Sequence, residues 1–149
     1  MEFLIDKVFS LKAVSVFESL PEASLLDVAR IMEYEEFRRG TEFIKKGEMA
    51  GEMYILKSGQ VKVHDGEHLL AKLGEGEIVG ELALLTPIPR TASVTAVEDV
   101  VVYKIGREHF LDLLYEKSEL MSEIIEVLIR RIIALNDEIK KLKSAGEPN

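Results

Sequence analysis

Gly80, Glu81 and Arg90 are the residues of this 149-residue chain whose types and spacing suit chemistry. They sit in the run Val79-Gly80-Glu81-Leu82-Ala83-Leu84-Leu85-Thr86-Pro87-Ile88-Pro89-Arg90-Thr91-Ala92. It predicts the end of a strand, a short apolar turn of helix, and a return to strand through Pro-Ile-Pro-Arg-Thr-Ala. Gly80 frees the backbone at the mouth of that helix, whose first N–H groups have no intrahelical partner. Those amides and the positive end of the helix dipole suit an anion such as phosphate. Arg90 follows closely enough to clamp the same anion with two parallel hydrogen bonds. Taken singly, Glu81 reads as a solvated helix residue and Arg90 as a surface charge. Together they ask for more, because a carboxylate beside an anion site is misplaced unless it accepts hydrogen bonds from ligand hydroxyls. An anion and a diol on one small ligand point to a nucleotide.

The elements that must position these residues change character along the chain. Residues 4–16 carry Leu4, Ile5, Val8, Phe9 and Leu11, the pattern of a short helix with one buried stripe. Leu20-Pro21 marks a boundary, and Leu25, Leu26, Val28, Ala29, Ile31 and Met32 continue as a second helix. From Tyr34 onward, apolar or β-branched runs at 42–45, 53–56, 60–64, 69–73, 93–97 and 100–105 alternate with glycine-containing turns. Such spacing predicts an antiparallel sandwich or barrel. The pair flanking Ser58-Gly59 reads as a tight hairpin.

After Gly106 the period is helical again. Residues 107–116 form a short amphipathic helix, and a longer one is expected from 118 to about 143. Along the longer one, Met121, Ile125, Leu128, Ile132, Leu135, Ile139 and Leu142 alternate in steps of four and three. This is a heptad seam with Ile at a and Leu at d, the pairing that favours parallel two-stranded coiled coils. Glu138 and Lys143 then fall at g and e. A second set, Ile124, Ile129 and Ile133, lies off the seam and is available to the chain's own sheets or ligand. Packing of the whole helix on its own domain is the alternative to a homodimer. Residues 144–149 read as a frayed tail.

Composition narrows the partners. A net charge of −8 and a pI near 5.0 exclude a general nucleic-acid surface, which requires clustered Lys and Arg. The 47% apolar and 31% charged content is that of a globular domain rather than a disordered chain. There is no cysteine, so disulfides and thiolate metal sites are unavailable, and His64, His68 and His109 are too scattered to suggest a metal set. The first residues lack a signal-peptide pattern, and Arg130-Arg131 breaks the most apolar late stretch, so a cytoplasmic protein is expected.

The run Gly-Glu-Leu-Ala-Leu-Leu followed by Pro-Arg-Thr-Ala-Ser-Val resembles the phosphate-binding cassette of cyclic nucleotide-binding domains. The turns Lys46-Gly47-Glu48 and Gly74-Glu75-Gly76-Glu77 extend the resemblance over roughly residues 17–142. It implies a mainly β fold with flanking helices: an eight-stranded antiparallel β-roll of jelly-roll type. In one such domain, residues 1–33 would form an N-terminal helical segment and 34–106 the roll, with the cassette at 79–92. Residues 107–143 would be C-terminal helices and 144–149 a tail.

Roles follow from the resemblance position by position. Glu81 would accept the ribose 2′-hydroxyl, and the amides of Leu82 and Ala83 would bind the cyclic phosphate. Arg90 would pair with an exocyclic oxygen, Thr91 would add a hydroxyl, and Gly80 would allow close approach. Val63, Leu70 and Leu73 are candidates for the wall beside the purine. The lid would come from the long helix: Leu135 and Asn136 by register with catabolite-activator-type proteins, or Arg130 and Arg131, as channel-type relatives use an arginine there. Thr91 is compatible with cGMP or cAMP. Because the 69–73 strand offers only Leu69-Leu70-Ala71-Lys72-Leu73 for further base contacts, cAMP is favoured. The expected function is that of a sensor coupling ligand to its C-terminal helix, without catalysis, metal or direct DNA binding, and with an effector the sequence does not specify. A ligand-free dimerisation module of the same fold is the alternative. A cupin-like enzyme would need a His/Glu metal set on its strands.

Overall fold

The computed structural model describes residues 3–146. Its strands are β1 (Glu33–Phe37), β2 (Glu42–Ile44), β3 (Met49–Ala50), β4 (Glu52–Ser58), β5 (Val61–Asp65), β6 (His68–Leu73), β7 (Ile78–Val79), β8 (Ile88–Pro89), β9 (Ser93–Ala96) and β10 (Val100–Gly106). Helices α1 (Leu4–Leu11) and α2 (Glu22–Arg30) precede them; α3 (Arg107–Glu116) and α4 (Ser118–Gly146) follow. Eight strands form two four-stranded antiparallel sheets, ordered β1-β10-β4-β7 and β2-β9-β5-β6, and the two-residue pair β3-β8 is additional. The mainly β architecture with flanking helices is the one expected.

The continuous apolar runs of β4 and β10 follow from their position. Successive strand residues face opposite sides. Tyr54, Leu56, Val100 and Val102 enter the core between the two sheets, with Val61, Val94 and Ala96 opposite them. Met53, Ile55, Tyr103 and Ile105 enter a second core made by the helices. A strand buried on both faces has no polar side to show in its sequence.

Four expectations need correction. Ser58-Gly59 does not close a hairpin: β4 and β5 lie in different sheets, so this turn carries the chain between layers. Gly59 has φ +87°, and a Cβ there would lie 2.5 Å from the Asp99 carbonyl oxygen. Its glycine thus serves a close backbone crossing, while the tight hairpin forms at Asp65-Gly66, where Asp65 pairs with His68. Helix α1 ends at Leu11, and residues 12–20 run in successive turns that bury Val14, Val16, Phe17 and Leu20. Val14 and Val16 are two apart and cannot share one face of a helix. Within α1, Val8 and Leu11 are buried, but Ile5 and Phe9 stay exposed. Finally, α4 continues through Lys143 as far as Gly146, while the rest of the expected tail, 147–149, lies outside the described residues.

Helix α4 docks by its first half only. Leu120, Ile124 and Val127 are buried against the domain, and Glu123 accepts a hydrogen bond from Ser24 of α2. The seam residues Ile125, Ile132, Leu135, Ile139 and Leu142 are all exposed. Off the seam, Ile124 faces the domain as expected, whereas Ile129 and Ile133 do not. Among the described residues no helix is long and apolar enough to cross a membrane.

Candidate functional site

Gly80 and Arg90 are built against each other. Gly80 has φ +83°, a left-handed turn that launches a single 3₁₀ turn, Glu81–Leu84. A Cβ on Gly80 would lie 2.5 Å from Arg90 Nη1 and 3.0 Å from the Glu52 carbonyl oxygen. The glycine therefore makes room for the guanidinium. Arg90 Nη2 donates to the Glu52 carbonyl at 2.7 Å. The Arg90 backbone is tied as well: its N–H donates to the Glu48 carbonyl at 2.8 Å, and its carbonyl accepts from Gly47 at 2.9 Å.

Arg90 is a half-buried cation whose guanidinium meets a backbone carbonyl rather than a carboxylate. Burial lowers its pKa from the usual arginine value, with Tyr54 and Glu52 acting the other way. An arginine nevertheless stays charged. Among the described residues it forms no ion pair. The Glu52 carboxylate accepts instead from the Tyr54 hydroxyl at 3.0 Å. Burial, reinforced by Glu52, pushes the Tyr54 pKa well up, so that hydroxyl remains a donor.

Beside this pair lies a cavity of about 450 Å³. Gly80, Glu81, Leu82, Ala83, Arg90 and Thr91 all border it, so the structure brings together every cassette residue singled out in the sequence. Val63 and Leu73 contribute apolar wall, joined by Ile78, Val79 and Val94. Leu70 does not. Val63 pairs with Ala71 and His64 with Leu69, which leaves Leu70 as the extra residue of a bulge on the edge strand, 51% exposed. A few convergent polar groups in an apolar cleft of this size are the ordinary form of a small-molecule site.

Of the two amides expected to meet an anion, that of Ala83 already donates to the Gly80 carbonyl at 3.0 Å, an i→i+3 bond that the tight 3₁₀ turn imposes. Glu81 is engaged as well. Its Oε1 accepts from Ser15 Oγ at 2.8 Å, the Val16 N–H at 3.1 Å and Arg131 Nη1 at 3.2 Å. One carboxylate thus joins the cassette, the 12–20 segment and α4. Sequence reasoning missed Ser15, Val16 and Glu52. No local signal marks them, because two act through backbone groups and all lie far from their partners in sequence.

The lid candidates do not line the cavity. Arg131 approaches its edge through Glu81, whereas Arg130, Leu135 and Asn136 are exposed and contribute nothing to the lining. The reason is geometric, since α4 leaves the domain surface beyond Arg131. Leu135 is one turn further along the face that carries Leu128 and Arg131. Arg107, at the start of α3, ties this region together by donating to the Ala50 carbonyl at 2.9 Å and to that of Ala83 at 3.5 Å.

One of the three histidines has structural work. His64 is buried, with Nδ1 2.8 Å from the Gly66 carbonyl and Nε2 2.7 Å from Thr95 Oγ1. A carbonyl only accepts, so Nδ1 carries the proton and Nε2 accepts from Thr95. Among the described residues no group of His, Asp and Glu is arranged to hold a metal ion.

Known proteins share sequence and fold with this chain. The family model of the cyclic nucleotide-binding domain matches residues 34–117. The cAMP-dependent protein kinase regulatory subunit of Debaryomyces hansenii is 36% identical over 105 residues, covering 70% of this chain and 23% of that protein. The cGMP-dependent protein kinase of Toxoplasma gondii is 40% identical over 98 residues, 66% of this chain and 10% of that protein. The chain thus spans a quarter or less of the length of these relatives. Among solved structures, the N-terminal domain of a transcriptional regulator from Streptomyces coelicolor A3(2) superimposes with a TM-score of 0.77. It is 25% identical, and the match covers 87% of this chain and 94% of that one. With the family model matched over residues 34–117, more than half its length and including the cassette, the chain belongs to the cyclic nucleotide-binding domain family.

Proposed function

We propose that this domain is a cAMP sensor in which Arg90 and the Leu82 amide hold the cyclic phosphate, Glu81 takes the ribose 2′-hydroxyl, and occupancy biases the position of α4. The observation that carries this reading is the half-buried, unpaired Arg90 guanidinium held at the mouth of an apolar cavity by the Glu52 carbonyl. The amide of Ala83 would share its hydrogen with the ligand in a three-centre bond, and Thr91 would reach the rim. Val63 and Leu73 would pack on the base. Leu135 and Asn136 would cover it only if α4 shifted. A ligand shifts α4 no further than its differential affinity for the two positions allows. Arg131 supplies such a difference, since it and the ribose hydroxyl use the same carboxylate. The exposed seam supports a parallel homodimer, and the domain would work in the cytoplasm on an effector outside the residues described.

The preference for cAMP over cGMP rests on the 69–73 strand, which offers the base few polar contacts. Calorimetric titration with cAMP, cGMP and cyclic dinucleotides is expected to give the highest affinity for cAMP. Binding to none would leave the fold a dimerisation module. Sedimentation equilibrium tests the seam separately: a dimer is expected, and a monomer at high concentration would retire it.

Gly80 gives a further expectation. Gly80→Ala should cost about 1–2 kcal/mol of stability through its positive φ. It should also weaken cAMP binding about tenfold, because the new methyl displaces the Arg90 guanidinium. Thermal melting and calorimetry read the two effects, and unchanged affinity would mean that Gly80 does not set the arginine's position.

A further inference from the structure

In the dimer, the second copy's α4 should do more than close the seam. With Ile125, Ile132 and Ile139 at a, the domain occupies one flank of α4: Ile124 and Arg131 are g residues, and Leu120 and Val127 are c residues. The other flank carries Ile129 at e and Ile133 at b, four apart on one face and 51% and 54% exposed. Ile129 lies on the opposite side of the helix from Leu120, so a straight α4 cannot turn it toward its own domain.

A parallel dimer brings these flanks together. There, each g residue faces the partner's e residue of the next heptad. Two of these pairs are complementary, Arg131 with the partner's Asn136 and Glu138 with the partner's Lys143. At the third, Ile124 is already buried in its own domain, so the partner's Ile129 must find its apolar contact on the domain surface beside it. Since the domain sits on the g side, the partner's e and b residues must lie over it.

The surface waiting there is Leu82. This cassette residue is 56% exposed and borders a small cleft with Leu128 and Arg131 on α4. We infer that Ile129 and Ile133 of a second copy pack on Leu82 of this one, so that the cassette helix of each protomer is covered by its partner's α4. The inference rests on the proposed parallel dimer and adds a contact between the dimer and the cassette. A ligand that settles the cassette would then stabilise the dimer, and the dimer would favour the ligand to the same extent.

Because the chain has no cysteine, cross-linking tests this on a clean background. Leu82→Cys protein is mixed with Ile129→Cys or Ile133→Cys protein, allowed to exchange subunits, and oxidised. Each mixture is expected to give several-fold more disulfide-linked dimer than either component alone. All three positions are exposed, so the substitutions leave the core untouched. A Leu135→Cys protein, placed on the seam, serves as control. If Leu135→Cys cross-links and neither mixture does, the dimer stands and the contact with Leu82 is overturned. If nothing cross-links and the protein sediments as a monomer, the dimer and the contact fall together.

Discussion

Arg90→Ala is expected to weaken cyclic nucleotide binding by roughly 2–5 kcal/mol, the cost of removing one partner of a desolvated charge pair. That is about 30-fold to several thousand-fold in affinity. The protein should stay folded. The lost Arg90–Glu52 hydrogen bond contributes about 1 kcal/mol, and the rest of the β8 turn is tied through backbone groups. Arg90→Lys should recover only part of the affinity. A planar guanidinium can hold the Glu52 carbonyl with one nitrogen and present the others to phosphate, whereas an ammonium on a flexible stem cannot keep both in a fixed plane. Calorimetry on the three proteins, with thermal melting to confirm folding, measures this. Equal affinity in Arg90→Ala and the parent would remove Arg90 from the site.

The largest loss of stability is expected from Phe110→Ala, about 3–5 kcal/mol for truncating a large aromatic in a closed core. Phe110 is 1% exposed and stacks edge-on with Phe17 at 5.7 Å between ring centroids. It also borders the cleft where Leu84 and Leu85 of the cassette meet Leu128 and Arg131 of α4. Its ring therefore fills the junction of the N-terminal segment, the cassette and both C-terminal helices. A fall of roughly ten degrees or more in melting temperature is expected for a chain of this size. Tyr115→Ala on the same helix, where the side chain is 78% exposed, should change it little. A small effect from Phe110→Ala would mean that this junction is loosely packed and that the helices are held by other contacts.

The seam of α4 shows how a one-dimensional pattern carries three-dimensional content. Its a and d residues were legible because a heptad repeats along the chain; in the structure Ile125, Ile132, Leu135, Ile139 and Leu142 are exposed, while Met121 and Leu128 pack partly on the core beside Leu120, Ile124 and Val127. Strands β4 and β10 were legible as elements, but not as neighbours. A strand buried on both faces carries no alternation to say which side meets helices and which meets the second sheet. The hairpin expected at Ser58-Gly59 failed for a related reason. A glycine with positive φ suits a reversal within a sheet and a crossing between sheets equally well, and only Asp99 and Val100, packed against Gly59, decide between them.

The amino-acid sequence by itself determined the cassette. Glycine, carboxylate, short helix and arginine lie within about a dozen residues, and their order along the backbone is enough to bring them to one cavity. The apolar positions of the strands and the heptad of α4 were likewise set by local period. Tertiary structure alone decided what each of those groups touches. Glu81 meets Ser15, Val16 and Arg131, and Arg90 rests on a carbonyl of Glu52, because folding closes long loops whose ends carry no mutual signal. It also decided that Leu70 bulges out of the wall and that α4 departs before Leu135 reaches the cavity. Such outcomes depend on which of many compatible surfaces pack, and packing is a property of the assembled core rather than of any stretch of chain.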